Sequence, residues 1–301
     1  MKKNYKNNFI ITFLIIILIL YTINSNLVVN SILEYTELFI KKLFPASFIF
    51  FIISSLLIDY NLPEKLSKLL HINGAIFYIV IMSMISGFPS GSKYIKDLYQ
   101  KNIIDIKTAN YLITFTHFPN PIFILGSVTT IFKNKIYPVY ILISLILSNL
   151  LIGLITHPKN KSKMAYIKKD NKSFSIYLTN SITSSIKTMI IIYGTSIFFY
   201  LIVTIINNYL KLNLYSYILL NGIFDLTKGI FLTSLISNET IKSLLIISFI
   251  SLGGISINMQ VKSIISDTFI SYKNFLIARF YQLIISIIIF LIIINWTNYI
   301  N

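Results

Sequence analysis

Apolar residues in this chain come in long runs, and short polar stretches carrying glycine and proline separate them. The first run covers residues 9–20, behind Lys2, Lys3 and Lys6. Residues 22–30 offer no clean small-x-small cleavage site, so residues 1–30 are predicted as a retained transmembrane anchor helix with its N-terminus inside. Residues 31–43 mix Glu34, Glu37, Lys41 and Lys42 with apolar side chains and read as an interfacial helix. Pro45 opens a span over 46–58, which is short for a hydrocarbon layer of about 30 Å. An amphipathic segment at 63–70 and an apolar one at 74–88 follow. Asp105 is placed to cap a helix beginning at Ile106, and residues 138–156 make a span of membrane length. An amphipathic lead-in at 173–187 precedes a span at 188–206. Apolar segments then lie at 214–236, 241–252 and 255–265, and the last span covers 272–296, with Trp296 and Tyr299 at its closing interface.

Composition narrows the class. Of 301 residues, 55% are hydrophobic and only 12% charged, with a mean hydropathy of +0.76. A soluble domain carries roughly 25% charged residues, so this chain has too few polar side chains to coat a globule. Unbroken apolar runs also differ from the alternating strands of a porin-type barrel. The expected fold is therefore an all-α polytopic membrane protein. The formal charge of +16 comes from 26 Lys and Arg against 10 Asp and Glu. These lysines are scattered between apolar runs rather than gathered on one face, so nucleic acid is not an expected partner. They are densest at 157–173, with Lys159, Lys161, Lys163, Lys168, Lys169 and Lys172, and the positive-inside rule puts that loop in the cytoplasm. No cysteine is present, and the three histidines are isolated, so neither a metal nor another cofactor is expected. The GxSxG elbow, the phosphate-binding GK[ST] loop and a nucleophile–base pair are all missing from the sequence, which argues against an enzyme.

The loop at 157–173 divides two stretches of similar layout. Residues 31–156 contain a span, a break at 86–92, and a second break at 116–121 followed by an apolar half-helix. Residues 174–301 contain a span, a polar interruption at 221–229, and a break at 252–256 followed by a half-helix. Unwound backbone in lipid leaves amides and carbonyls unpaired at several kcal/mol each, so such breaks survive where protein or a water-filled cavity satisfies them. Paired broken segments in corresponding halves point to a transporter built from two pseudo-repeats with broken or re-entrant helices.

The breaks supply candidate ligands. Asp225 is the one acid deep in an apolar segment. It reads either as the holder of a coupling cation, proton or sodium, or as a structural partner of Lys228 on the same helix face. Ser90, Gly91 and Ser92 form a nest-like turn beside Lys93. Thr116, His117 and Asn120 at one break, and Ser256, Asn258 and Gln260 beyond Gly253 and Gly254 at another, offer hydrogen-bonding groups next to half-helix ends suited to a carboxylate. Lys93 and Arg279 are candidate partners of an anion, with snorkelling to the interface as the alternative for Arg279.

Four motifs carry a resemblance. SGFPSGSK at 86–93, FTHFPNPIFILGSV at 115–128, GIFDLTKGI at 222–230 and SLGGISINMQ at 251–260 resemble, in order, those of the sporulation integral membrane protein YlbJ family. That family contains the nucleoside-recognition, or Gate, domain related to the core of concentrative nucleoside transporters. The resemblance implies a Gate-type transporter core and transport of dipicolinate, a small organic anion, from the mother cell towards the forespore at the outer forespore membrane. It also implies substrate contacts at the motif positions Ser90, Gly91, Ser92, Thr116, His117, Asn120, Thr227, Lys228, Gly253, Gly254, Ser256, Asn258 and Gln260. The chain departs from the family where Asp225–Gly229 replaces an E-I-T-N-G pattern and where Asn258 replaces a His. A cell-membrane location, contact with membrane lipid and a homo-oligomer are compatible with the same pattern. The other readings are a non-transporting scaffold for the spore envelope, a nucleoside transporter and a membrane-embedded lipid enzyme.

Overall fold

The computed structural model describes residues 2–157 and 173–300. Apart from its end positions His157 and Ser173, the basic loop and its cytoplasmic assignment lie outside the described residues. Among the described residues every regular element is helical. Four stretches are long and apolar enough to cross a membrane: Tyr137–Ile155, Phe174–Tyr209, Glu239–Ile264 and Tyr272–Thr297. The chain is an integral membrane protein, as the apolar runs predict.

At the N-terminus, α1 (Lys2–Ile23) ends where the chain turns by 95° at Asn24 into α2 (Ser25–Leu38), so the anchor predicted over residues 1–30 is cut in two. Asn24 holds the corner by bonding Leu20 O and the Tyr209 hydroxyl with its Nδ2. A π-helical turn (Phe39–Leu43) leads from α2 into α3 (Phe44–Asp59). Pro45 explains the wider turn, because it lacks an N–H and its ring crowds the carbonyl four residues back. Residues 31–43 are therefore no separate interfacial helix. They continue into α3 and pack on the long helix α9, with Thr36 Oγ1 2.7 Å from the Tyr193 hydroxyl and the Tyr35 and Tyr200 rings 5.0 Å apart.

Next come α4 (Leu62–Leu70), α5 (Gly74–Ser86), α6 (Ser90–Gln100) and α7 (Ile106–Phe115). Asp105 caps α7 as its position predicts, accepting from Thr108 N at 2.7 Å. Its hydrogen bond to Thr108 holds the carboxyl below the usual aspartate range. After a break, a short π and 3-10 helical stretch (Phe123–Ser127, Val128–Ile131) leads to α8 (Tyr137–Ile155). In the second half α9 (Phe174–Tyr209) is one continuous helix of 36 residues, which merges the predicted lead-in and span. It is followed by α10 (Leu214–Phe224), α11 (Leu226–Leu232), α12 (Glu239–Leu252), α13 (Gly254–Ile264) and α14 (Tyr272–Ile300).

Helix α8 connects two faces of the molecule. At its C-terminal end Gly153 O accepts from Tyr111 Oη of α7 at 3.0 Å, and Asn110 Oδ1 accepts from Ser271 N at 2.7 Å. The α5–α6 hairpin dips in from this face, anchored by Lys101 to Asp59 (2.5 Å) and Lys96 to Asp267 (2.7 Å). At the N-terminal end of α8, Glu239 accepts from Lys133 N (2.6 Å) and Asn134 N (3.1 Å), and Lys242 Nζ donates to Ile131 O (2.8 Å). The α10–α11 pair folds back at Asp225. Each stretch thus contains one tightly turned helix pair and one helix interrupted part-way.

The interruptions are narrower than the polarity of the sequence suggests. The hairpin tip is Gly87–Pro89 rather than 86–92, and the first broken helix opens over 116–120 rather than 116–121. Only Asp225 leaves helical geometry in the stretch 221–229, and only Gly253 and Gly254 take positive φ in 252–256. Asn221 stays helical because its side chain finds partners in place, donating to Tyr217 O at 2.7 Å and accepting from Asn207 Nδ2 at 3.0 Å.

Candidate functional site

In the first half the tip is closed by its own groups. Gly87 has φ +74°, and a Cβ there would sit 2.6 Å from Asn120 N, so the close approach of the two breaks needs glycine. Asn120 joins both, since its Oδ1 accepts from Ile122 N at 2.8 Å and its Nδ2 donates to Ser86 O at 3.4 Å. Ser90 N donates to Gly87 O at 3.1 Å and Ser92 Oγ to Pro89 O at 2.6 Å. Gly91 lies against the Thr116 carbonyl, and Thr116 Oγ1 donates back to Leu112 O at 3.0 Å. The predicted nest at Ser90, Gly91 and Ser92 therefore spends its polar groups internally. Lys93 is 1% exposed and pairs with Asp97 at 2.6 Å, with its ammonium 5.7 Å from the Phe51 ring centroid. Neither an interfacial position nor a free anion partner fits it.

His117 sits at the centre. Its ring stacks on Phe88 at 4.6 Å, its carbonyl accepts from Asn149 Nδ2 at 2.9 Å, and its Nε2 is buried with no hydrogen-bond partner. That nitrogen faces Gly253, where a Cβ would stand 3.4 Å away, so the two broken helices meet here.

In the second half Asp225 is 3% exposed and caps α11, its Oδ1 accepting from Lys228 N at 2.8 Å. The carboxylate meets the lysine's backbone. The Lys228 ammonium turns instead to Thr204 Oγ1 (3.4 Å) and lies 4.5 Å from the Tyr200 ring centroid. Thr227, between them, is half-buried. Gly222 and Gly229 cross so closely that a Cβ on Gly229 would strike the Gly222 backbone, which folds α11 back along α10. Gly254, at φ +58°, rests on this hairpin, and a Cβ there would lie 3.1 Å from Gly222 O. Asn258 Nδ2 closes the second broken helix by donating to Leu252 O at 2.7 Å and to Gly254 O. Ser256 is buried, and Gln260 Nε2 donates to Ser196 Oγ at 2.7 Å.

Arg279 is 1% exposed and does not snorkel. Its Nη2 donates to Thr114 O at 2.6 Å, at the last turn before the first break, and its Nη1 to Gln282 Oε1. Its Nε has no partner, and among the described residues no carboxylate lies within ion-pair reach. A cleft of about 350 Å³ opens beside it, lined by Gly222, Phe249, Gly254, Asn258, Tyr272 and Arg279 among others. Gly254, Asn258 and Arg279 thus share one cavity. Gly91, Ser92, Thr116 and His117 line a separate pocket of about 10 Å³, too small for an organic ligand. Among the described residues no three of His, Cys, Asp and Glu gather as a metal would require.

Sequence reasoning missed Ser196, Tyr200 and Thr204, which meet Gln260 and Lys228. Tyr200 and Thr204 face the Lys228 ammonium, and Ser196 accepts from Gln260.

The chain is 26% identical to the sporulation integral membrane protein YlbJ of Bacillus subtilis (strain 168) over 291 residues, covering 80% of this chain and 71% of that protein. The similarity supports assignment to the YlbJ family. No family model matches, and no solved structure matches. The match extends across most of both chains rather than over a local motif.

Proposed function

We propose that this chain is a secondary transporter of a small organic anion that works in sporulation, with dipicolinate as the anion, mother cell to forespore as the direction and the outer forespore membrane as the site. Its core is of the Gate type. The observation that carries the reading is Arg279: a guanidinium buried at the meeting of two broken helices, without a carboxylate, beside a largely apolar cleft. Burying an unpaired charge costs several kcal/mol unless something balances it, and a carboxylate on a flat apolar body suits both the charge and the walls. Guanidinium binds carboxylates in a bidentate fork that lysine does not reproduce. Two tightly turned helix pairs supply two gates, which alternating access needs. Asp225 holds the coupling cation, proton or sodium. Similarity to a sporulation membrane protein supports the setting.

The test is uptake of labelled dipicolinate into proteoliposomes under an imposed proton or sodium gradient. Gradient-driven uptake is expected, reduced at least tenfold in Arg279→Lys, which keeps the charge and removes the fork. Wild-type uptake by Arg279→Lys overturns the role of Arg279. Nucleoside flux without dipicolinate flux overturns the substrate, and no flux of either overturns transport in favour of a scaffold.

A further inference from the structure

Two residues that line the cleft each keep one hydrogen-bonding atom unspent, and the two atoms are of opposite kind. Arg279 gives Nη2 to Thr114 O and Nη1 to Gln282 Oε1, and its Nε–H has no partner. With both terminal nitrogens held, the guanidinium offers its Nε edge as a charged donor. Gln282 is an amide rather than a carboxylate, so it orients the guanidinium without cancelling its charge. Asn258 donates from Nδ2 to Leu252 O at 2.7 Å and to Gly254 O. Two carbonyls on one side of the amide fix which end is nitrogen, because an oxygen there would be repelled. Asn258 Oδ1 is therefore an acceptor, buried and without a partner. Both residues line the same cavity of about 350 Å³, and among the described residues Arg279 is the one charged side chain of that lining. Tyr272 is its third polar side chain, with a hydroxyl that donates and accepts alike. The remaining walls are apolar side chains and glycine.

A cleft with one cation and one neutral acceptor is matched by a molecule with one negative charge and one hydrogen-bond donor. A ligand recovers the cost of a buried, unpartnered polar atom by pairing with it. A second anion buried with nothing to neutralise it is strongly disfavoured. We propose that the cleft takes its ligand as a monoanion, with one carboxylate on the Arg279 Nε edge and an N–H or O–H group donating to Asn258 Oδ1. The inference rests on the organic-anion reading and sharpens it. A dicarboxylic acid such as dipicolinic acid binds with one carboxyl ionised and the other protonated, and its dianion is excluded. The proton arrives on the ligand from solution and stays on it, so no protein group has to supply it. Both unspent atoms are covered, and a ligand reaches them by moving side chains of the lining, of which the unbranched Met259 is the most pliant. The ionisable groups on the surrounding elements are Asp225 and Lys228 on the α10–α11 pair that supplies Gly222, His117 with its Nε2 towards Gly253, and Lys262, 5.6 Å from the Tyr272 ring. Their titration acts on every ligand alike, so ligands that differ in charge and donor isolate the effect.

The test is a ligand series on the full-length wild type in detergent, read by calorimetry. Dipicolinate is compared with its monoamide, which carries one charge and an N–H donor at every working pH, and with its monomethyl ester, which carries one charge and no donor. At neutral pH the monoamide should bind at least about tenfold tighter than either, because a site built for a donor rejects the analogue that lacks it. Each unit of rising pH should weaken dipicolinate about tenfold, as the competent monoanion becomes scarcer, and leave the monoamide unchanged. Asn258→Leu, of similar volume, should erase the difference between amide and ester; where that variant does not fold, the wild-type series decides alone. Equal affinity for amide and ester, with dipicolinate binding flat in pH, overturns the monoanion inference and leaves dipicolinate as the substrate. Preference for the amide without dipicolinate binding at any pH keeps the inference and overturns dipicolinate. Binding of none of these ligands overturns the organic-anion reading and the inference with it.

Discussion

Lys93 is the fourth residue of α6, just past the first hairpin tip, and Lys228 is the third residue of α11, just past the second. Both breaks place a lysine on the returning limb, yet their surroundings differ. Lys93 is fully buried and neutralised within its own helix by Asp97. Around it Tyr94 donates to Ser86 Oγ at 2.9 Å, and Ser92 donates to Pro89 O. Lys228 is half-buried, and its ammonium meets neutral groups of α9, Thr204 Oγ1 and the Tyr200 ring. A hairpin whose charges close on themselves behaves as part of the scaffold. One whose cation depends on neighbours can change partners. The comparison therefore assigns a fixed role to the first hairpin and an exchanging one to the second, within the proposed mechanism.

The largest effect should come from removing the first lysine. Lys93→Met leaves Asp97, whose side chain is 12% exposed, without its partner. Breaking a buried pair from one side costs about 3–5 kcal/mol, so thermal unfolding in detergent should shift by many degrees. Adding Asp97→Leu should restore much of it, because an apolar pair of similar volume often replaces a buried ion pair without loss. Lys228→Met should cost below about 1 kcal/mol, since the groups it leaves are neutral. Equal stability losses at the two positions would erase the distinction between the hairpins.

A smaller structural effect and a larger functional one are expected at the second tip. Asn is nearly as good an N-cap as Asp, so Asp225→Asn should keep the cap to Lys228 N and change stability by a few tenths of a kcal/mol. It should nevertheless abolish gradient-driven dipicolinate uptake if the charge holds the coupling cation. Normal uptake by Asp225→Asn would reduce Asp225 to a cap. Asp225→Ala, which removes cap and charge together, should lose about 1 kcal/mol besides.

Local rules made part of this legible. Asp105 before Ile106 was readable as a cap, and 138–156 as a span of bilayer length, because both depend on neighbouring residues only. The positions of all four breaks were legible from Gly, Pro and Asp. Their widths were not, since Asn221 or Ser256 looks like a helix breaker until a distant side chain or a packed surface accommodates it. Arg279 was visible as an unusual charge, but its burial on Thr114 O depends on a contact across 165 residues. The surroundings of Lys228 were the least legible. Its ammonium partners, Tyr200 and Thr204, lie on α9 more than twenty residues before it. No hydrophobic period points from Lys228 to those two side chains.

The smallest effect lies where the first hairpin meets the second half outside the membrane-spanning segments. Asp267 pairs with Lys96 at 2.7 Å and accepts from Gln100 Nε2 at 3.1 Å. Partial burial alone would raise its pKa, but the hydrogen bond and charge of Lys96 prevail and hold the carboxyl below the usual aspartate range. A carboxyl depressed in the folded state stabilises it above the unfolded pKa, near 3.9, and that contribution fades as pH falls through the lower folded value. The Asp267 side chain is 55% exposed, so water screens the pair. Asp267→Asn should therefore cost no more than about 0.5 kcal/mol at pH 7 and still less at high salt. At a pH below the lowered folded-state value, where the carboxyl is protonated in both states, the variant and the wild type should melt together. A gap between them that persists there would mean the aspartate acts through shape rather than charge. The first hairpin would then be fixed by packing, and Lys93–Asp97 would be the one electrostatic lock that separates it from the second.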